Sequence, residues 1–237
     1  MACALAEAGA AVAISGRHPQ YLESGAAEIK RWGTAARTVV ADLSDVASTA
    51  TMVREAAAAL GGLDILVNNA GGGVRKAPED LTEEEFDRIF DTNVKGLYFA
   101  SCEAMRLMRP GSSIVNIASV AGELPDPELA AYCGSKAAVI QLTRVLAAAW
   151  GRRGIRVNAV APGYTDSPLN AHRKADPIRA EAVVGRTPLG RWGKPADIAS
   201  AVTFLAAGGS DFITGQTLFV EGGYSLGAWP SPKGENK

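Results

Sequence analysis

The 237-residue chain predicts an α/β fold in which a doubly wound parallel sheet lies between helices on both faces, giving three layers. Two observations predict this class. Strand-like runs of about four to six residues alternate with longer helical patterns along most of the sequence. The strand-like runs are continuously apolar, as expected for strands that are buried on both faces. The length suits one domain, which we expect over residues 1–237.

The first part of the chain predicts alternating helices and strands. Residues 2–7 resemble the end of a helix with Gly9 as its C-terminal cap, and residues 11–15 form a buried strand. A helix over about 19–32 leads to a strand at 38–41, and a helix over 46–60 leads to a strand at 63–68. The chain thus opens partway through a helix–strand unit.

The second part begins with a long predicted helix over about 82–108. Thr82 followed by Glu85 indicates a capping box at its start. Asn93 lies within the apolar stripe, where a buried amide is either a satisfied structural residue or part of a polar site. The stripe itself is expected to be buried and consists of Phe86, Ile89, Phe90, Val94, Leu97 and Tyr98.

The remaining elements are a strand at 113–118, a helix that contains Tyr132 and Lys136, a strand at 155–160, a helix over about 195–207 and a last strand at 216–220. Residues 164–189 are polar and irregular, and they follow the carboxyl end of a strand, where open parallel sheets bind ligands. We therefore expect a lid there. The tail at 228–237 is expected to be frayed.

Composition and charge favour a small-molecule partner. The net charge of -1 and a hydrophobic fraction of 47% give no sign of a nucleic-acid or membrane surface. The three scattered cysteines fit a reducing cytoplasm, and two histidines make a histidine-built metal site improbable, so no metal is expected. No run is long and apolar enough for a membrane span, and the start lacks the basic region of a signal peptide.

The segment from Ser119 to Lys136 contains residues suited to proton transfer. Tyr132 and Lys136 lie four residues apart on one helical face, and Ser119 lies at a strand end. The ammonium group is expected to lower the phenol pKa, so that Tyr132 exchanges a proton with a substrate oxygen that the Ser119 hydroxyl steadies. Alone, this spacing is a weak signal, because such pairs often lie at a surface.

In combination, these residues make the chain resemble the short-chain dehydrogenase/reductase family, in its short single-domain branch with a Rossmann-like fold. The resemblance implies a catalytic tetrad of Asn93, Ser119, Tyr132 and Lys136, in which Asn anchors a water and Lys holds the nicotinamide ribose. It also implies a homotetramer. The cofactor-binding residues that it implies are Asp42 and Leu43 on the adenine side; Asn68, Asn69, Ala70 and Gly71 beside the adenosine; Tyr132 and Lys136; and Pro162, Gly163, Thr165 and Ser167 at the nicotinamide.

The chain departs from the family at its beginning. Family members start with a strand and a Thr-Gly-x-x-x-Gly-x-Gly turn that cradles the pyrophosphate, and the sequence has neither. The sheet is therefore expected to lack its first, central strand, and we interpret the start as assigned too late or truncated. Arg17 after the second family strand favours NADP over NAD, although NAD remains possible and Arg17 is otherwise a solvent-exposed strand end.

The sequence thus predicts an NADP-dependent oxidoreductase that transfers hydride between nicotinamide and a carbonyl or secondary alcohol. The lid resembles those of 3-oxoacyl carrier-protein reductases and of sugar or gluconate dehydrogenases, and nothing in it separates the two. The alternative is a truncated or pseudoenzyme fragment that cannot hold the dinucleotide. A sugar-nucleotide epimerase of the extended branch is disfavoured, because no residues remain for a substrate domain.

Overall fold

The computed structural model describes residues 1–227, and the expected fraying of residues 228–237 lies outside that range. Its strands are all parallel and form two sheets. One sheet pairs β1 (Val12–Gly16) with β2 (Ala36–Val40). The other has the order β3-β4-β5-β6. These four strands are Ile65–Asn68, Ser113–Ile117, Arg156–Pro162 and Thr217–Val220.

Helices connect successive strands and cover both faces of the sheets. Their bounds are Ala2–Glu7 (α1), Pro19–Lys30 (α2), Val46–Leu60 (α3), Glu83–Phe90 (α4), Leu97–Leu107 (α5), Ala130–Trp150 (α6), Ala171–Ala175 (α7), Pro177–Arg186 (α8) and Pro195–Ala206 (α9). The expected parallel α/β fold with flanking helices is confirmed.

The two sheets share their hydrophobic cores. On one face, Val12 of β1 belongs to the same buried cluster as Val115 of β4 and Val202 of α9. On the other face, Val39 of β2 clusters with Ile114 and Val157. The two sheets therefore pack as parts of one layered body, although no hydrogen-bonded ladder between them is found among residues 1–227.

A cavity of about 640 Å³ lies between β1 and β3, and we call it the inter-strand cavity. Residues of both strands line it, together with Met1, Leu5 and Met52 from the neighbouring helices and chain start. Each of the two strands is paired on one edge only within the described chain. The expected interruption of the sheet is therefore present at this position, since an unpaired strand edge next to open space cannot complete its ladder.

The predicted long helix is interrupted. Thr82 and Glu85 form the expected capping box, but a π-helical turn at Asp91–Gly96 separates α4 from α5. The expected burial of the apolar stripe is wrong for Phe86 and Tyr98, which are 44% and 38% exposed. The added residue of a π turn rotates the side chains that follow it around the helix axis, which accounts for Tyr98. Phe86 precedes the turn, and its ring stacks on that of Phe90 with centroids 4.6 Å apart.

Residues 164–189 were expected to be irregular from their polar composition, but part of this segment is helical. It contains α7 and α8, and Asp176 caps α8 by accepting from the backbone of Ile178 and Arg179. Its ends are tied down, since Thr165 pairs with Gly193 and the Leu189 N–H donates to the Gly222 carbonyl at 3.1 Å. In the described part of the chain, no helix is long and apolar enough to cross a membrane.

Candidate active site

A second cavity, of about 650 Å³, opens at the carboxyl ends of β4 and β5. We call it the Tyr132 cavity. Ser119, Tyr132 and Lys136 all line it. Ser119 comes directly after β4, and the other two residues lie in the first turns of α6, so strand end and helix start bring them together.

The phenol of Tyr132 is buried beside Ser119. Burial raises the pKa of Tyr132 above its usual value of 10.0, and the nearby Ser119 hydroxyl offsets this rise only in part. The expectation that Lys136 lowers this pKa is therefore wrong for the chain without a bound ligand. Desolvation disfavours the phenolate more than its neighbours favour it, so Tyr132 carries its proton at neutral pH.

Lys136 is 4% exposed, and its Nζ atom donates to the Ile117 carbonyl at 2.7 Å. Burial lowers its pKa from 10.5 to about 8, so the ammonium form still predominates at neutral pH. Nζ lies 5.7 Å from the centroid of the Tyr132 ring. An ammonium has three N–H donors, and Ile117 is its one recorded acceptor in the described structure, which leaves donors for a ligand in the cavity.

Asn93 joins the π-helical turn to the loop after β3. Its side-chain oxygen accepts from the Gly72 N–H at 3.0 Å, and its Nδ2 donates to the Gly72 carbonyl at 2.9 Å. The same Nδ2 donates to Ser135 Oγ at 2.9 Å. The sequence left open whether this buried amide is a structural residue with satisfied hydrogen bonds or part of a polar site. The structure shows that its hydrogen bonds are satisfied, and one partner, Ser135, is next to Lys136 in the chain. Asn93 thus connects the loop after β3 to α6 through hydrogen bonds.

The glycines of that loop let the backbone approach the reactive side chains. A Cβ atom on Gly71 would lie 2.9 Å from Asn93 Oδ1 and 3.3 Å from Lys136 Nζ. One on Gly73 would lie 2.9 Å from Tyr132 Cβ and Cδ2. Gly73 is a positioning residue that the sequence analysis missed, although the run of three glycines was visible as a signal.

The loop after β5 forms another wall of the Tyr132 cavity. Pro162, Gly163, Thr165 and Ser167 all line it, as the resemblance implies. A Cβ atom on Gly163 would lie 2.7 Å from Glu221 Cβ, so this turn requires glycine for close packing against the end of β6. The Asp166 N–H donates to the Gly193 carbonyl at 2.8 Å, which holds the loop in place.

Most of the remaining expected cofactor residues lie outside the Tyr132 cavity. Asp42 accepts from the Ser44 N–H and hydroxyl at 2.9 and 2.8 Å, and these hydrogen bonds lower its pKa, with a further contribution from the charge of Arg17. Arg17 is exposed at the end of β1. Leu43 and Ala70 line the inter-strand cavity, whereas Asn69 lines both cavities.

Asn68 is part of the protein interior. It is 6% exposed, and its Nδ2 donates to Ser101 Oγ and Asn116 Oδ1, both at 2.9 Å. Asn116 in turn donates to Thr143 Oγ1 at 3.0 Å. This chain of buried hydrogen bonds ties β3 and β4 to α5 and α6, so the Asn68 side chain supports the sheet next to the site.

The sequence analysis missed the cationic and aromatic residues at the outer end of the Tyr132 cavity. The residues that line it there are Arg75, Arg173, Arg186 and Tyr224. Tyr164 packs edge-on against Tyr224, with ring centroids 5.1 Å apart. The six charged residues between Arg173 and Arg186 were visible in the sequence, but the sequence did not show which of them face inward. Among the described residues, no group of three or more side chains suited to a metal ion is found.

Comparisons with known proteins show the family to which the chain is similar. A family model described as enoyl-(acyl carrier protein) reductase matches residues 1–225. A short-chain type dehydrogenase/reductase of Sinorhizobium fredii is 46% identical over 164 residues, which are 68% of this chain and 30% of that longer protein. Gluconate 5-dehydrogenase of Gluconobacter oxydans is 36% identical over 95% of this chain and 89% of its own length.

A solved structure shows the same fold. The gluconate 5-dehydrogenase of Burkholderia cenocepacia J2315, in complex with NADP and tartrate, superposes with a TM-score of 0.88 at 35% identity, covering 95% of this chain and 89% of that one. The fold, the family model and these relatives agree. The chain belongs to the short-chain dehydrogenase/reductase family and is an NAD(P)-dependent oxidoreductase.

Proposed function

We propose that the chain is an NADP-linked enzyme that transfers hydride between the nicotinamide and a carbonyl or secondary alcohol, with a polyhydroxy acid of the gluconate type as its substrate. The observation that carries this proposal is the meeting of Ser119, Tyr132 and Lys136 in one cavity of about 650 Å³. A hydroxyl donor, a protonated phenol and a buried ammonium in one hollow suit proton transfer to an oxygen.

The residues around this cavity fit the nicotinamide half of the cofactor. Gly71 and Gly73 leave no room for side chains, and Lys136 retains N–H donors that suit the ribose hydroxyls. Thr165 and Ser167 lie across the cavity for the carboxamide. When bound, NADPH would supply the hydride for reduction, and NADP+ would accept it in oxidation. Tyr132 gives the proton to the substrate oxygen in reduction, Ser119 donates a hydrogen bond to that oxygen, and Asn93 holds the loop that positions them.

The preference for NADP is supported by Arg17, an exposed cation beside Asp42 at the carboxyl end of β1. A guanidinium there suits a 2′-phosphate, whereas an acidic side chain would suit the free ribose hydroxyls. The relative from Burkholderia cenocepacia was solved with NADP. For Arg17→Gln we expect about a tenfold weaker NADPH affinity with unchanged NADH affinity; equal losses for both would exclude this role of Arg17.

The test of the activity is turnover of 5-dehydrogluconate and of an acetoacetyl thioester with NADPH, followed at the nicotinamide absorbance. Turnover of the sugar acid supports the gluconate-type function, and turnover of the thioester alone would replace it with the 3-oxoacyl reductase function. Tyr132→Phe is the control that ties either activity to this cavity.

One observation favours a second candidate function. The inter-strand cavity separates β1 from β3, and residues along most of both strands line it. A chain with this gap is a candidate for a subunit that does not hold the dinucleotide. Titration of NADPH against the purified chain separates the two, since micromolar binding excludes the second function and its absence excludes the first.

The assembly and location remain proposals. Large apolar side chains are exposed on the outer faces of α4 and α5, with Phe86, Tyr98 and Phe99 between 38% and 44% exposed, and they suit the helix-mediated contacts of a homotetramer. Light scattering after gel filtration tests this. Cys3, Cys102 and Cys133 form no disulfide with one another, which supports a reducing compartment such as the cytoplasm.

A further inference from the structure

The outer end of the Tyr132 cavity is built from aromatic rings and guanidinium groups. Tyr164 packs edge-on against both Trp192 and Tyr224, with ring centroids 5.7 and 5.1 Å apart. Arg173 Cζ lies 5.1 Å from the centroid of the Tyr164 ring, and Arg186 Cζ lies 4.4 Å from that of Tyr224. Two arginines that are 13 positions apart in the sequence are thus held against one pair of contacting tyrosines.

This packing orders the arginines without using their hydrogen-bond donors. A guanidinium that stacks on an aromatic face keeps its N–H groups in its own plane, where they remain free to bind an anion. Within the described chain, neither Arg173 nor Arg186 has a carboxylate within ion-pair distance. Lys174 and Arg179, the other cations of the α7–α8 segment with recorded ion pairs, contact Asp166 and Asp176 instead.

The charge around the cavity is unbalanced. Of the described residues that line it, Arg75, Lys136, Arg173 and Arg186 are cations, and the one carboxylate is Asp126. Arg75 already binds that carboxylate at 2.7 Å, and it also binds Glu128 at 2.7 Å. Burial alone would raise the pKa of Asp126, but the hydrogen bonds from Arg75 and the Glu128 backbone lower it overall, with a smaller contribution from the charge of Arg173. Asp126 is therefore ionised, and its direct ion pair is with Arg75. Among the described residues, Arg186 is left without a carboxylate partner, and Arg173 has only the more distant charge of Asp126, which already binds Arg75.

We infer that Arg173 and Arg186 form an anion subsite that binds the carboxylate of the substrate while its carbonyl or hydroxyl group faces Tyr132. The inference rests on the proposed function and narrows its substrate class to oxo acids and hydroxy acids. Both arginines line the same cavity as Tyr132, so one molecule that spans it reaches both ends. An unpaired guanidinium pair favours a charged group over a neutral one of the same shape.

The test compares 4-oxocyclohexanecarboxylate with its methyl ester, which carry the same ketone and differ in charge. We expect the wild-type chain to have the higher kcat/KM with the acid. Arg173→Gln and Arg186→Gln should each lower kcat/KM for the acid about tenfold or more and leave that for the ester unchanged, as expected for the loss of a charge-assisted hydrogen bond. Arg179→Gln is the matched control, since this exposed arginine of α8 pairs with Asp176 outside the cavity.

The anion that Arg173 and Arg186 bind could instead be a phosphate of the cofactor. Measuring NADPH affinity in the arginine variants distinguishes a cofactor phosphate from the substrate carboxylate. Unchanged NADPH affinity in both arginine variants supports the substrate carboxylate, whereas weakened NADPH affinity with unchanged acid-to-ester preference would overturn the inference. Equal kcat/KM for acid and ester in the wild-type chain would also overturn it.

Calorimetry keeps the subsite testable if neither ketone is turned over. Failure of the proposed function is shown separately, by the absence of turnover with 5-dehydrogluconate. The probe is then 4-oxocyclohexanecarboxylate itself, titrated into the chain without cofactor. Binding that is weakened in the Arg173→Gln, Arg186→Gln double variant and retained in Arg179→Gln supports the subsite. Binding of the acid no tighter than that of the ester overturns it.

Discussion

Lys136→Met is expected to stabilise the protein at neutral pH while removing its activity. Burial lowers the pKa of Lys136 from 10.5 to about 8. Below pH 8, Lys136 is protonated in both the folded and the unfolded chain, but it binds the proton more tightly in the unfolded chain. This difference in proton affinity lowers the free energy of unfolding by about 3 kcal/mol at pH 7. Between about pH 8 and 10.5 the unfolded chain binds more protons than the folded chain, so stability rises with pH there.

Methionine has a similar length and no charge, so the substitution removes this penalty. It also removes the hydrogen bond to the buried Ile117 carbonyl, which costs about 1.5 kcal/mol. The net gain is about 2 kcal/mol at pH 7, or a rise in Tm of about 4–8 °C for a chain of this size. At pH 9.5 the penalty in the wild type is about 1.4 kcal/mol, and the gain should be close to zero.

The assay is urea unfolding of both chains without cofactor at pH 7 and pH 9.5, followed by circular dichroism. Lys30→Met, at an exposed lysine near the end of α2, is the matched control and should show the same offset at both pH values. A destabilised Lys136→Met at pH 7, or a difference from wild type that does not change with pH, would refute the reasoning.

Three further substitutions test the site. Tyr132→Phe should lower kcat by about 10²–10⁴-fold, measured with NADPH and the ketone substrate, and leave circular dichroism and NADPH affinity unchanged; ordinary turnover would mean that another group gives the proton. Gly73→Ala should displace Tyr132, because its Cβ would lie 2.9 Å from Tyr132 Cβ, and lower kcat about 10- to 100-fold. Its control is Gly72→Ala, whose Cβ meets nothing within 4 Å, and equal kinetics in the two variants would contradict this role. Asn93→Leu should lower the free energy of unfolding by about 2–4 kcal/mol, since it leaves the backbone of Gly72 unpaired, and a change below 0.5 kcal/mol in urea unfolding would show that these hydrogen bonds contribute little.

Much of the site could be predicted because its parts are local in the sequence. Ser119 follows an apolar run, and Tyr132 and Lys136 share one helical face, so a strand end and the next helix bring them to the same edge of a parallel sheet. The interruption of the sheet followed from the family resemblance, because the sequence lacks the family's first strand, and the gap between β1 and β3 lies where that central strand was expected.

The parts that could not be predicted depend on distant contacts. The π-helical turn that presents Asn93 differs from an α-helix by one residue per turn, which no local propensity reveals. Arg173 and Arg186 face the cavity because they pack against the rings of Tyr164 and Tyr224. Tyr224 follows β6, whereas the lid precedes that strand, so the sequence does not reveal the contact. The polar composition of residues 164–189 does not reveal which charged side chains face the cavity. It also does not reveal that α7 and α8 position them.

The pKa values show where sequence spacing misleads about electrostatics. A lysine four residues after a tyrosine predicts a lowered phenol pKa, yet both groups are so deeply buried that desolvation dominates each of them. At neutral pH the free site therefore holds a protonated phenol next to an ammonium ion. That pair is ready to give a proton to a carbonyl oxygen, whereas oxidation of an alcohol first requires loss of the phenolic proton. We therefore expect the rate of oxidation to rise with pH more steeply than the rate of reduction.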